Sequence, residues 1–243
     1  MSLTAKLLLS PLLVAQALLA RSRLPRLPEA EGERAGTVGD GPLEVSVLIA
    51  GDSSAAGVGV EHQRDALAMP VAQTLAALSG RRVHWRLHAR SGLTTAQMHE
   101  HLAEELTAAP AGAFAADFAV IVTGVNDVVD QVPSRRAVAA REALANRLRN
   151  AHGVRHVAFA PLPPVHHFPG LPQPLRWIAG ADARRHDRAL AEWAATRGDV
   201  SHVPLELVLN RGVMAPDGFH PGVRAYRQVA HDIAIHLAAL MAR

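Results

Sequence analysis

Short runs of apolar and β-branched residues alternate along this chain with longer stretches whose apolar positions recur at helical spacing. The run 45–50 ends at Gly51 and has the form of a buried strand. Further strands are predicted at 82–89, 117–123, 154–160 and 200–204. Helical spacing predicts helices over 65–78, stopped by Gly80, and from Thr94 or Thr95 to about 108. It predicts three more over 134–150, 181–196 and 221–242, the last with Pro221 as its first residue.

Five strands separated by helices imply a parallel sheet covered on both faces. The expected fold class is α/β, a three-layer α/β/α sandwich of flavodoxin-like type with a five-stranded, mostly parallel sheet. Ligands of such sheets sit at the carboxyl ends of the strands. The loops after Ala50, Ala89, Thr123 and Ala160, and the one before Pro221, are therefore where chemistry is expected.

Residues 1–42 follow a different pattern, and residues 43–243 form the expected α/β domain. An apolar run from Leu7 to Ala20, interrupted by Ser10, Pro11 and Gln16, is short for a membrane span. Lys6 precedes it and Arg21, Arg23 and Arg26 follow. Positive charge on that flank favours a cytoplasmic location over secretion. The expectation is a helix that packs on the domain or makes peripheral membrane contact through residues 7–20, with a signal or anchor as the alternative. Residues 25–42, with three Pro and four Gly, read as a linker.

Composition narrows the chemistry. The 243 residues hold no Cys, which excludes a disulfide scaffold, a thiol nucleophile and Cys-ligated metal centres. Of the 25 basic residues all but Lys6 are Arg. Arg stays protonated far above neutral pH, so a net charge of only +3 accompanies a pI of about 10.4. The Arg residues are scattered among 22 acids rather than gathered in a stripe, and no nucleic-acid partner is expected. The histidines, 14 in all, form no His-Glu-x-x-His set, so no metal and no other cofactor is expected.

Four loop motifs carry the candidate chemistry. Gly51-Asp52-Ser53-Ser54 places Ser53 on a tight strand-to-helix turn, suited to a nucleophile whose own N–H helps hold an oxyanion. Gly92 can bring its backbone N–H close to a ligand, and Asn126, in Gly124-Val125-Asn126-Asp127, can supply a side-chain donor. In Asp217-Gly218-Phe219-His220-Pro221 the carboxylate can hold the imidazole within one loop turn, its other nitrogen facing the serine. Each motif alone has an ordinary reading as a turn or a cap. Their joint occurrence at the expected strand ends gives them weight.

These four blocks resemble those of the SGNH (GDSL-type) hydrolases, over about residues 45–242. The resemblance implies a catalytic triad of Ser53, Asp217 and His220 and an oxyanion hole of Ser53, Gly92 and Asn126. It implies hydrolysis of a carboxylic ester through an acyl-enzyme. Ser54 stands where the family's name-giving Leu is usual. The Pro-rich stretch 161–174 looks like a bacterial subgroup associated with long-chain N-acyl amino acid biosynthesis, which implies a lipid-like acyl substrate. Residues 161–177 hold six Pro together with Phe168, Leu171 and Trp177, expected to form an apolar pocket wall; the alternative is a loop packed into its own domain. Three rival readings are acyl transfer from the same acyl-enzyme, a nucleotide-binding module and an idle binding domain of the same fold. The second lacks a phosphate-binding loop, and the third retains every residue the chemistry needs.

Overall fold

A computed structural model describes residues 3–108, 116–205 and 209–242. The order of elements is α1 (Leu3–Arg23), β1 (Ala35–Val38), β2 (Glu44–Gly51), α2 (Ser53–Ala56), α3 (Ala68–Ser79), β3 (Arg82–Ala89) and α4 (Thr95–Ala108). There follow β4 (Phe118–Val122), α5 (Val125–Val129), α6 (Ser134–His152), β5 (His156–Phe159), α7 (Leu175–Ala194), β6 (Val200–His202) and α8 (Val223–Met241).

The strands form one sheet in the order β1-β3-β2-β4-β5-β6. β2 through β6 are parallel, and β1 pairs antiparallel to β3. Along β2 the pleat sends Val45, Val47 and Ile49 into one core, with Val71 and Leu75 of α3 and Ile233 and Leu237 of α8. Leu48 and Ala50 enter the other, with Met98 of α4, Leu144 and Leu148 of α6 and Leu190 of α7. A strand buried on both faces must be apolar at nearly every position, as the 45–50 run is.

The sheet has six strands rather than five. The additional strand, β1, lies within the expected linker, and three of its four residues are exposed. An exposed edge strand carries no apolar alternation for a pattern to reveal. α7 begins at Leu175, earlier than expected. Gly180, one residue ahead of the expected start, lies within the helix and lets it approach residue 166: a Cβ there would lie 2.7 Å from the His166 backbone nitrogen. α8 begins at Val223 rather than Pro221. Pro221 is bridged to Met214, and Gly222 N–H donates to Val213 O (2.9 Å), so residues 221–222 stay extended. Thr94 caps α4 as expected, exchanging hydrogen bonds with Gln97.

α1 lies on α7. The Gln16 side chain donates to Gln173 O (2.7 Å) and accepts from Leu175 N–H (3.1 Å). Leu12, Val14, Leu18 and Leu19 remain exposed on α1. Among the described residues no helix is long and apolar enough to cross a membrane.

Candidate active site

The strand register gathers the motifs. Gly51 at the end of β2 is level with Ala89 of β3 on one side and Val122 of β4 on the other. Neighbouring strands are about 4.8 Å apart, so the loops bearing Ser53, Gly92 and Asn126 leave the sheet side by side. Gly51 is needed for this closeness: a Cβ there would lie 2.1 Å from Val122 O.

Ser53 is the first residue of α2, capped by Asp52, whose Oδ1 accepts from Ser54 N–H (3.1 Å). Ser53 Oγ lies 3.0 Å from His220 Nε2, and His220 Nδ1 lies 2.6 Å from Asp217 Oδ2. Asp217 Oδ1 accepts from the backbone N–H of Phe219 (2.9 Å) and His220 (3.0 Å), so the carboxylate fixes both ring and backbone. Burial pushes the Asp217 carboxyl up, but the hydrogen bonds from His220 and Phe219 outweigh it and hold the group below its ordinary value. A carboxylate that stays ionised on Nδ1 sets the tautomer with Nε2 free to take the serine proton. Ala215 N–H donates to His220 O (2.9 Å), tying the histidine into the Met214–Pro221 bridge.

Gly92 lies on an exposed turn with φ +86°, a conformation that favours glycine. On the other side of Ser53, the Asn126 amide donates to Leu93 O (3.0 Å) and makes a long contact to Asp52 Oδ2 (3.4 Å). Asp52 is buried, and this burial pushes its carboxyl up to about 7 against the pull of Ser54 N–H and His220. Asp127, next in the motif, is also buried. It accepts from Thr95 N–H (3.1 Å) and lies 3.6 Å from the buried guanidinium of Arg141 on α6. The turn bearing Asn126 is thereby tied to both α4 and α6.

A cavity of about 370 Å³ opens beside Ser53 and His220. Its apolar wall includes Leu162, Phe168, Met214 and Phe219, and Phe168 packs edge-on against Phe219 with ring centroids 5.1 Å apart. It reaches His202 at the end of β6, three strands from β2, a span of about 14 Å at the usual strand spacing. His202 Nε2 is held there by Asp187 Oδ1 (2.9 Å).

Of the residues expected on the pocket wall, Phe168 is present and two are elsewhere. Leu171 packs against the core, and Trp177 sits half-exposed on the first turn of α7, outside the cavity. The early start of α7 places Trp177 on a helix rather than on the loop. Met214 and Tyr226 line the cavity without any local signal, since they come from distant segments. Asp52 could have been noticed as the capping residue of the nucleophile's helix. Among the described residues no group of three His, Cys, Asp or Glu side chains is placed to hold a metal.

Residues 49–228 match the model of the GDSL-like Lipase/Acylhydrolase family. The chain belongs to this family. It is similar to a GDSL-like esterase of Mycobacterium tuberculosis, 29% identical over 90% of this chain and 73% of that protein. Its fold matches the psychrotrophic esterase EstA from a Pseudoalteromonas species (TM-score 0.61, 15% identity, 82% of this chain and 99% of that one). It also matches a family 3 carbohydrate esterase of Clostridium thermocellum (TM-score 0.60, 16% identity, 82% and 100%). This GDSL-family chain is a serine hydrolase of the esterase and lipase type.

Proposed function

We propose that the protein hydrolyses carboxylic esters of apolar acyl chains through an acyl-enzyme on Ser53. The observation that carries this reading is the unbroken relay Asp217–His220–Ser53, with contacts of 2.6 and 3.0 Å, at the edge of an apolar cavity. His220 Nε2 takes the Ser53 proton as Oγ bonds to the ester carbonyl carbon, and the imidazolium is stabilised by Asp217. The carbonyl oxygen, now negative, is met by the N–H groups of Ser53 and Gly92 and by the Asn126 amide. The long contact to Asp52 leaves one Asn126 amide hydrogen weakly held, available to turn toward the oxyanion.

Collapse of the tetrahedral species breaks the bond to the alcohol, which leaves with the proton from His220. Water, deprotonated by His220, then attacks the acyl carbon; as the bond to Ser53 Oγ breaks, His220 returns the proton to Oγ and the carboxylic acid leaves. Transfer to another alcohol or amine would use the same intermediate with a different acceptor.

The cavity supports a lipid-like acyl group, in keeping with the sequence resemblance of the Pro-rich segment. Each buried methylene contributes about 0.8 kcal/mol of binding. The exposed apolar side chains of α1, followed by Arg21 and Arg23, favour peripheral contact with a lipid surface. A series of p-nitrophenyl esters tests the substrate reading. kcat/KM is expected to rise from acetyl to octanoyl. A preference for acetyl would overturn the apolar-chain assignment, and no turnover of any ester would overturn the hydrolase reading itself.

A further inference from the structure

We infer that Glu29, in the segment ahead of the catalytic domain, is a positioning residue that holds the turn carrying the Gly92 oxyanion donor. The inference rests on the hydrolase reading above. Glu29 Oε1 accepts from both the backbone N–H (2.8 Å) and the hydroxyl (2.7 Å) of Ser91, the residue before Gly92. Its other oxygen pairs with Arg34 Nη2 (2.6 Å), and Arg34 Nη1 donates to Ala89 O (2.9 Å) at the end of β3. One carboxylate thus ties both ends of the 89–91 segment.

The turn needs such a brace. Ser91 and Gly92 are exposed, and a Cβ placed on Gly92 would meet nothing within 4 Å, so packing does not fix it. Its flanks are anchored by Arg90 N–H on Gly51 O (3.1 Å) and by the Asn126 amide on Leu93 O (3.0 Å). Between those anchors Glu29 provides the hydrogen bonds that fix Ser91, and with it the peptide unit leading into the Gly92 N–H.

The backbone that follows Glu29 is anchored to the helix that carries the nucleophile. Ala30 N–H donates to Ala56 O at the end of α2 (3.2 Å), and Ala30 O accepts from the buried amide of Gln63 (3.1 Å). Glu31 N–H donates to Glu61 O (2.8 Å), and Gln63 N–H returns to Glu31 O (2.8 Å). The carboxylate therefore links the helix that carries Ser53 to the turn that carries Gly92, keeping two oxyanion donors in a fixed relation. Burial pushes the Glu29 carboxyl up, but the Ser91 and Arg34 contacts outweigh this and keep it below its ordinary value, so it is charged at neutral pH. Glu29 and Arg34 lie outside the segment shared with the family model, which begins at residue 49. The brace is thus supplied by the segment ahead of the residues that match the family model.

A positioning role predicts a loss in the transition state without a loss of ground-state binding. The test compares wild type with Glu29→Ala, Glu29→Gln and Arg34→Met on p-nitrophenyl butyrate, alongside amide hydrogen exchange of the peptide covering 88–94. Removing an oxyanion donor outright costs roughly 10²–10³ in kcat, and loosening one is expected to cost about tenfold. Glu29→Ala should lower kcat by about that factor with KM within about twofold, and should speed exchange in the 88–94 peptide alone. Glu29→Gln should recover most of kcat, because its amide oxygen still accepts both Ser91 bonds. If Glu29→Ala does not fold, Arg34→Met provides the reading, with a smaller fall in kcat at unchanged KM. Wild-type kcat in Glu29→Ala, or in Arg34→Met where that is the variant read, would overturn the inference, as would a matching rise in KM. An inactive wild type would instead refute the hydrolase reading, and the inference with it.

Discussion

Asp52 precedes Ser53 and contacts the Asn126 amide, and its burial has a cost that depends on pH. A carboxyl raised to about 7 in the fold, against an ordinary value near 3.8, binds its proton more tightly folded than unfolded. Its contribution to stability is therefore fully present below about pH 4 and is lost as pH rises through 7. Asp52→Asn removes that titration. Urea unfolding between pH 4 and 8 should show the variant gaining stability relative to wild type as pH rises, with the difference levelling off above 7. A constant difference over that range would refute the shift. At this scale the contacts among Ser53, His220 and Asp217 were legible because Asp217 and His220 share one turn, and Ser53 stands at a strand-to-helix junction. Glu29 was not legible, because its partner Ser91 lies 62 residues away and no local pattern joins them.

At the level of elements, β2 and β4 were legible because burial on both faces demands continuous apolar runs, and β3 because its buried positions alternate with polar ones. Edge strand β1 and the short helices α2 and α5 were not. An exposed four-residue strand leaves little hydrophobic trace, and helices of four and five residues make little more than one turn, too few for the helical spacing to repeat. Arg141 shows the same limit in another way. It occupies an apolar-facing position of α6, fully buried, because Asp127 of α5 lies opposite. Breaking one side of a buried pair strands the other charge, at a cost of roughly 3–5 kcal/mol. Arg141→Met should lose about that much in denaturant unfolding, and Asp127→Asn in the same chain should restore part of it. Equal losses for the single and double variants would show that the pair is not coupled. Because α5 bears Asn126, its anchoring to α4 and α6 is also what holds that side chain, the proposed oxyanion donor, at the strand ends.

For the molecule as a whole, the segment ahead of the domain acquires a place in the architecture. It adds the sixth strand, it packs α1 on α7, and through Glu29 it reaches the catalytic turn. A linker reading accounted for its Pro and Gly content but not for these long-range contacts, which only the folded chain brings together. The high pI proved to be arginine chemistry on a surface laced with acidic partners, as in Arg155–Asp117 and Arg149–Asp199. The absence of Cys acts on the chemistry by leaving a serine as the nucleophile. All of these features serve one claim, that Ser53 is the residue acylated in turnover. The most direct measurement is intact-mass and peptide analysis after exposure to a fluorophosphonate, run on wild type and Ser53→Ala together. The account predicts a single adduct on the peptide containing Ser53 in wild type, accompanied by loss of esterase activity, and no adduct in the variant. Labelling of the Ser53→Ala protein, or esterase activity retained in it, would contradict the account.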